Sequence, residues 1–209
     1  MAAKVTAQQV YDYVREQIVS KELFPGNRVP EEELARVMST SRTTVRSAIT
    51  RLHYDGLVEV IPNCGASVAK PTLVDMNRVY AMRTLLECEV IRLALPRLTD
   101  GALQRMERCV EKQEALEANF SMSEYVTLNR AFHWELIQAA DNEYLEKYLQ
   151  ELFNKTAIFL TFYDHTGSNR ESIRTHRRLL EALRARDEAA ALEAMKADIL
   201  CASEYITVD

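Results

Sequence analysis

Four residues in the second half of the chain are of the kinds that hold metal ions. Asn129 and His133 stand four apart. On a helix that spacing puts both side chains on one face, about 5–6 Å apart and close enough to share an ion. His176 and Asp198 lie in later segments of the same half. Two imidazoles, one carboxylate and one amide oxygen suit Zn²⁺, Ni²⁺ or Mn²⁺, with water or an anionic ligand in the open positions. Spacing alone favours a plainer role, in which both histidines are core residues satisfied by hydrogen bonds. Arg83 also has two readings. It precedes Glu87 by one helical turn, the spacing of an ion pair worth a few tenths of a kcal/mol when exposed. It could equally face a buried cavity and bind the carboxylate of a small molecule.

A second set lies near the start of the chain. Ser41-Arg42-Thr43-Thr44-Val45-Arg46 opens a helical pattern whose apolar positions are Val45, Ala48, Ile49 and Leu52. Short hydroxyls and arginines therefore crowd the first turn while the apolar face points inward. A helix that enters a major groove by its N-terminal end needs this arrangement: Arg binds guanine O6 and N7 with two donors, and Ser and Thr reach phosphates or base edges. The helix N-terminus itself favours a phosphate. Arg42 is expected to read a guanine and Arg46 to contact phosphate.

The elements that must position these residues can be read from periodicity and punctuation. A helix is expected from Val5 to Ser20, a short one over Glu31 to Met38 and a third from Ser41 to about Tyr54. Leu57 to Ile61 and Ala66 to Ala69 are β-rich runs joined by Pro62-Asn63-Cys64-Gly65, a hairpin signal. Three helices and a two-stranded wing make a winged helix-turn-helix. Beyond Pro71 the pattern is helical throughout, with helices expected near 73–97, 101–118, 122–139, 142–162, 169–185 and 188–205 and a break at 165–168. Short connections point to an antiparallel all-α bundle. The fold class is mainly α, in two domains: 1–71, with the DNA-reading pattern, and 72–209, with the helical one.

Composition agrees with this division. The 209 residues carry a net charge of −5, which argues against nucleic acid until its distribution is counted. Residues 1–70 hold nine Lys/Arg against eight Asp/Glu, and the rest hold seventeen against twenty-three. The acidic bulk belongs to the helical half, and a near-neutral head still contacts phosphates if its basic groups share one surface. The start of the chain has no secretory pattern, and no apolar run approaches a membrane span. Four scattered cysteines without a CxxC pair fit reduced thiols in a cytoplasm.

Leu23-Phe24-Pro25-Gly26, Glu33-Leu34-Ala35, the Ser41 to Arg46 run, Asp55-Gly56-Leu57-Val58 and Gly65 stand in an order and spacing that resembles the winged helix-turn-helix of GntR-family bacterial regulators. The resemblance implies operator contacts from Arg42, Thr44 and Arg46, and a wing tip, Asn63 to Gly65, that approaches the minor groove. The chain departs from the family in two places. Ser39-Thr40 replaces the usual Gly-Val of the turn, and Glu32 stands where the fatty-acid-responsive members carry arginine. Arg83-x-x-Leu86-Glu87, Asn129-x-x-Phe132-His133 and Thr175-His176-x-x-Leu179 resemble the FCD ligand-binding domain of the FadR-type branch. Its metal-binding members use an Asp four residues before a His and two later His, so Asn129 replaces the acid and Asp198 the third His.

The reading is a cytoplasmic bacterial transcription regulator, a homodimer on a pseudo-palindromic double-stranded operator, controlled by a small carboxylate effector. Its alternatives are a metal-dependent enzyme fused to a DNA-binding head, and a ligand-free structural DNA-binding dimer. No phosphate loop, nucleophile elbow or adjacent general base supports catalysis.

Overall fold

The computed structural model describes residues 5–62, 64–163 and 169–204. Asn63 and the break expected at 165–168 lie outside the described residues. The chain divides into two compact units, Met1–Pro71 and Thr72–Asp209.

In the first unit the helices are α1 (Ala7–Val19), α2 (Glu31–Val37) and α3 (Arg42–Tyr54), followed by β1 (Val58–Ile61) and β2 (Gly65–Val68). Thr6 starts α1 with a reciprocal cap: its hydroxyl accepts from the Gln9 amide, and the Gln9 side chain accepts from the Thr6 amide. Three glutamates in the first turn of α2 complement the helix dipole. Ser41 caps α3 by accepting from the Thr44 amide at 3.1 Å. Val10, Val14 and Ile18 of α1 pack with Val45, Ala48, Ile49 and Leu52 of α3, all buried. Tyr11 donates to the buried Asp55 at 2.8 Å and ties α1 to the end of α3. Between α2 and α3, Ser39 takes a φ of 50°. That left-handed conformation suits glycine, which explains why a Gly is usual in this turn.

The wing strands pair antiparallel in the register Val58 with Val68 to Ile61 with Gly65. Gly65 has a φ of 85° and open space where a Cβ would sit, as the turn into β2 requires. The hairpin gains a third edge that periodicity did not indicate. Arg28 bridges Ser67, the Gly26 amide donates to the Val68 carbonyl and the Val29 amide to the Ala66 carbonyl.

The second unit consists of α4 (Leu73–Ala94), α5 (Asp100–Ala115), a 3-10 turn (Leu116–Ala118), α6 (Met122–Ala140), α7 (Glu143–Tyr163), α8 (Asn169–Arg184) and α9 (Glu188–Glu204). Thr72, Thr99 and Ser121 cap α4, α5 and α6, each accepting from a backbone amide three residues on. Asn142 and Asp187 do the same work for α7 and α9. The last helix, α9, packs on α4 and α8, while α6 packs on α4, α5 and α7. The faces that meet bury Val90, Ile91, Met106, Val110, Phe132, Leu136, Phe159, Leu179, Leu183 and Met195. Arg186, at a φ of 55°, donates from Nη2 to the Leu98 carbonyl at 2.6 Å and so seals the chain just past α4.

Candidate metal centre and nucleic-acid interface

Inside the helical unit the ligand atoms of His133, His176 and Asp198 lie within 4.8 Å of one another, all buried. They come from α6, α8 and α9, three helices separated in sequence whose side chains meet inside the bundle. His133 Nε2 is 3.3 Å from Asp198 Oδ2, and His176 Nε2 is 3.3 Å from Asp198 Oδ1. The two Nε2 atoms are themselves 3.3 Å apart. Asn129 is buried one turn before His133 on α6.

The opposite nitrogen of each ring is also engaged. His176 Nδ1 lies 2.9 Å from Gln113 Oε1, and in the tautomer that donates to this oxygen Nε2 presents a lone pair to the cluster. His133 Nδ1 is 2.7 Å from Glu87 Oε2, a charge contact that departs from an in-line hydrogen bond. Phe132 stacks on His176 with centroids 4.3 Å apart and fixes the ring plane. Ser172 donates to Asp198 Oδ1 at 2.7 Å. Thr175 Oγ1 lies 2.8 Å from the same oxygen and 2.7 Å from the Ser172 carbonyl, and its single proton serves one of them.

Burial alone would push the His133 imidazole down, but the charge of Glu87 and the contact with Asp198 outweigh it and raise it to about 9. Burial keeps His176 below its ordinary value, against the pull of Asp198. Burial also works against the Asp198 carboxylate, yet the two imidazoles hold it well below the usual range. A protonated His133 turns an Nε2 proton towards Asp198 Oδ2, 3.3 Å away. A divalent cation replaces such a proton when His-rich sites load. The donor set therefore fits a divalent ion. Each imidazole is oriented from behind by a carboxylate or amide oxygen, as metal-binding histidines are.

Arg83 of α4 is 2% exposed and Glu87 1%, and the Arg83 Nε donates to Glu87 Oε1 at 2.7 Å. The guanidinium lies 4.2 Å over the Phe153 ring, its Nη1 is 3.5 Å from Thr156 Oγ1, and its Nη2 has no hydrogen-bond partner among the described residues. A cleft of about 300 Å³ between α4 and α9, lined by Asn77, Tyr80, Thr84, Lys196 and Ile199 among others, reaches Tyr80. The Tyr80 ring lies 5.8 Å from the Arg83 guanidinium carbon.

Glu87 and Gln113 were missed as members of this site. Glu87 could be read from sequence only as the partner of Arg83, because i,i+4 spacing does not reveal what approaches from another helix. Gln113 gave no signal. Ser172 and Thr175 precede His176 on α8, and two short hydroxyls within a turn of a candidate ligand were the one usable hint.

In the first unit Ser41, Arg42, Thr43 and Arg46 are exposed at the start of α3, with Thr44 half-buried. Ser41 Oγ and Thr44 Oγ1 lie 2.8 Å apart. A shallow groove between the starts of α1 and α3 is lined by Thr6, Ser41, Thr43, Thr44 and Ser47. Arg42 Nη2 meets Glu32 at 2.8 Å and Arg46 Nε meets Glu31 at 2.7 Å, so both arginines are paired with the first turn of α2. Gly65 stands at the wing tip beside the exposed Cys64.

Residues 6–68 match the family of bacterial regulatory proteins of the GntR type, and residues 78–200 match the FCD domain. The chain belongs to the GntR family and carries an FCD domain. The Nta operon transcriptional regulator of Aminobacter aminovorans is 32% identical over 178 residues, 83% of this chain and 82% of that protein. The HTH-type transcriptional regulator YdhC of Bacillus subtilis is 28% identical over 186 residues, covering 88% and 83%. The HTH-type transcriptional repressor RspR of Escherichia coli is 26% identical over 200 residues, covering 95% and 88%. The solved structure of E. coli McbR/YncC shares the fold with a TM-score of 0.83 at 23% identity, covering 95% of each chain. These relatives are transcription regulators, and this GntR-family chain is a DNA-binding regulator rather than an enzyme. Among the described residues no helix is long and apolar enough to cross a membrane.

Proposed function

We propose that this regulator is a cytoplasmic homodimer that represses its operon until a small carboxylate effector binds the helical unit on a resident divalent metal ion. The head, residues 1–71, reads the operator with Ser41, Arg42, Thr43, Thr44 and Arg46 and with the wing at Asn63 and Gly65; residues 72–209 bind the effector and dimerise. Repression follows the role of RspR, a transcriptional repressor. One observation carries the metal reading. Two imidazole Nε2 atoms and both oxygens of Asp198 converge on one buried point, while each Nδ1 is turned to an oxygen behind it.

His133, His176 and Asp198 would hold the ion, with Asn129 as a weak fourth ligand. The ion supplies a Lewis-acidic position for one effector oxygen. Arg83 would take a second through Nη2, which has no hydrogen-bond partner among the described residues. Effector bound there shifts the packing of α4, α6 and α9, and changes operator affinity by its differential binding to the two packings.

Elemental analysis of full-length protein purified without chelator tests this. It should find close to one Zn, Ni or Mn per chain, and His133→Ala with His176→Ala should remove it while circular dichroism stays helical. Protein that remains metal-free after incubation with each of the three ions would return both histidines to the role of core residues.

A further inference from the structure

The start of α3 carries two arginines, and each is held by a different glutamate in a different way. We propose that Glu31 is a positioning residue that presents the outer edge of Arg46 to a guanine, so that Arg46 rather than Arg42 sets base preference; this rests on the head's reading as the DNA-binding element.

A guanidinium has five N–H groups in a fixed fork. Reading guanine takes two parallel donors at once, to O6 and N7. Arg46 gives Nε to Glu31 Oε2 at 2.7 Å, and that bond leaves Nη1 and Nη2, the parallel pair at the end of the fork, available. Arg42 Nη2 instead stands 2.8 Å from Glu32 Oε1 as an ion pair. Nη2 belongs to both donor edges of the fork, so Arg42 must leave Glu32 before either edge can read a base. A single phosphate contact, which needs one donor, remains open to it throughout.

The two carboxylates also differ in how firmly they stand. The Glu31 side chain is 32% exposed and that of Glu32 74%. Both sit in the first turn of α2, where the helix dipole favours a carboxylate. The less exposed Glu31 is the better clamp. Ordering Arg46 before DNA arrives lowers what must be ordered on binding, which improves discrimination. A carboxylate near phosphates also weakens attachment to any sequence, so Glu31 gives up general affinity in return for selectivity.

The test uses the full chain and a duplex enriched by the wild type from a random pool, with each guanine replaced in turn by 7-deazaguanine, which lacks the N7 acceptor. Wild type should lose about tenfold at one guanine of each half-site. Arg46→Ala should abolish that penalty and Arg42→Ala should leave it in place. Glu31→Ala should bind non-operator duplex at least as well as wild type while its 7-deazaguanine penalty shrinks below about threefold. Glu31→Gln keeps an acceptor oxygen for Nε and should retain most of the penalty; its thermal midpoint and that of the Ala variant should match wild type. An undiminished penalty in Glu31→Ala, equal behaviour of the Ala and Gln variants, or a penalty that disappears in Arg42→Ala would overturn the assignment. Failure of the wild type to enrich any duplex would count instead against the DNA-binding reading of the head, and the inference would fall with it.

Discussion

At Arg83 the guanidinium and the Glu87 carboxylate meet inside the bundle, where neither has water to return to. An i,i+4 pair on an open helix face contributes a few tenths of a kcal/mol. Inside, removing Arg83 leaves Glu87 with His133 Nδ1 as its remaining charge contact, so the loss approaches the roughly 3–5 kcal/mol of an unpaired buried charge only as an upper limit. Arg83→Leu should therefore lower unfolding stability by up to that much, read from urea midpoints at constant slope. A loss under about 0.5 kcal/mol would mean that water reaches Glu87. The sequence showed this pair but not its burial, since a spacing of four is the same on a wet face and a dry one. His133, His176 and Asp198 were legible as ligand types in helical segments. Their convergence was not, because it depends on how three helices pack.

Between elements, α5 and α8 are clasped by charge. Arg177 of α8 donates to Glu114 from Nε at 3.1 Å and from Nη2 at 2.8 Å, and also contacts Glu107 one heptad earlier on α5. Hydrogen bonding from Arg177, outweighing some burial, holds the Glu107 carboxyl below its ordinary value, with Arg184 adding to the effect. A carboxylate with a depressed folded value contributes stability above the unfolded value of about 4.3 and loses it as pH falls through the folded one. Glu107→Gln should thus destabilise the protein by on the order of 1 kcal/mol at pH 7 and change little at pH 3, as thermal midpoints would show. A deficit of equal size at both pH values would point to packing instead of charge. At this scale the helices themselves were largely readable. Thr72, Thr99, Ser121 and Asn142 mark helix starts by chemistry that acts within a turn. The Arg28–Ser67 bridge was not readable, because a single extended residue beside the wing leaves no periodic trace.

For the whole molecule, the acidic helical half and the near-neutral head suit a protein that approaches DNA through the head. Val74, Met82 and Leu85 lie along one side of α4, 55%, 45% and 65% exposed. Large apolar groups on a common helix side are what a self-association surface offers. Light scattering on the full chain at micromolar concentration should report a dimer, and Leu85→Glu with Met82→Glu should shift it towards monomer. A wild-type monomer would leave that side without a role. The buried cluster has one more consequence, for the order in which the protein is made. Glu87, Gln113, His133 and His176 all leave the ribosome before Asp198 does. Until that residue emerges, the nascent helical unit lacks one of its compensating charges, and a buried imidazolium is costly without its partner. The buried core of the winged head, Val10 to Ala69, precedes all of these residues in the chain. N-terminal domains fold first during synthesis, and here the head can be complete while the helical unit still waits for Asp198, on its last helix, to balance the interior.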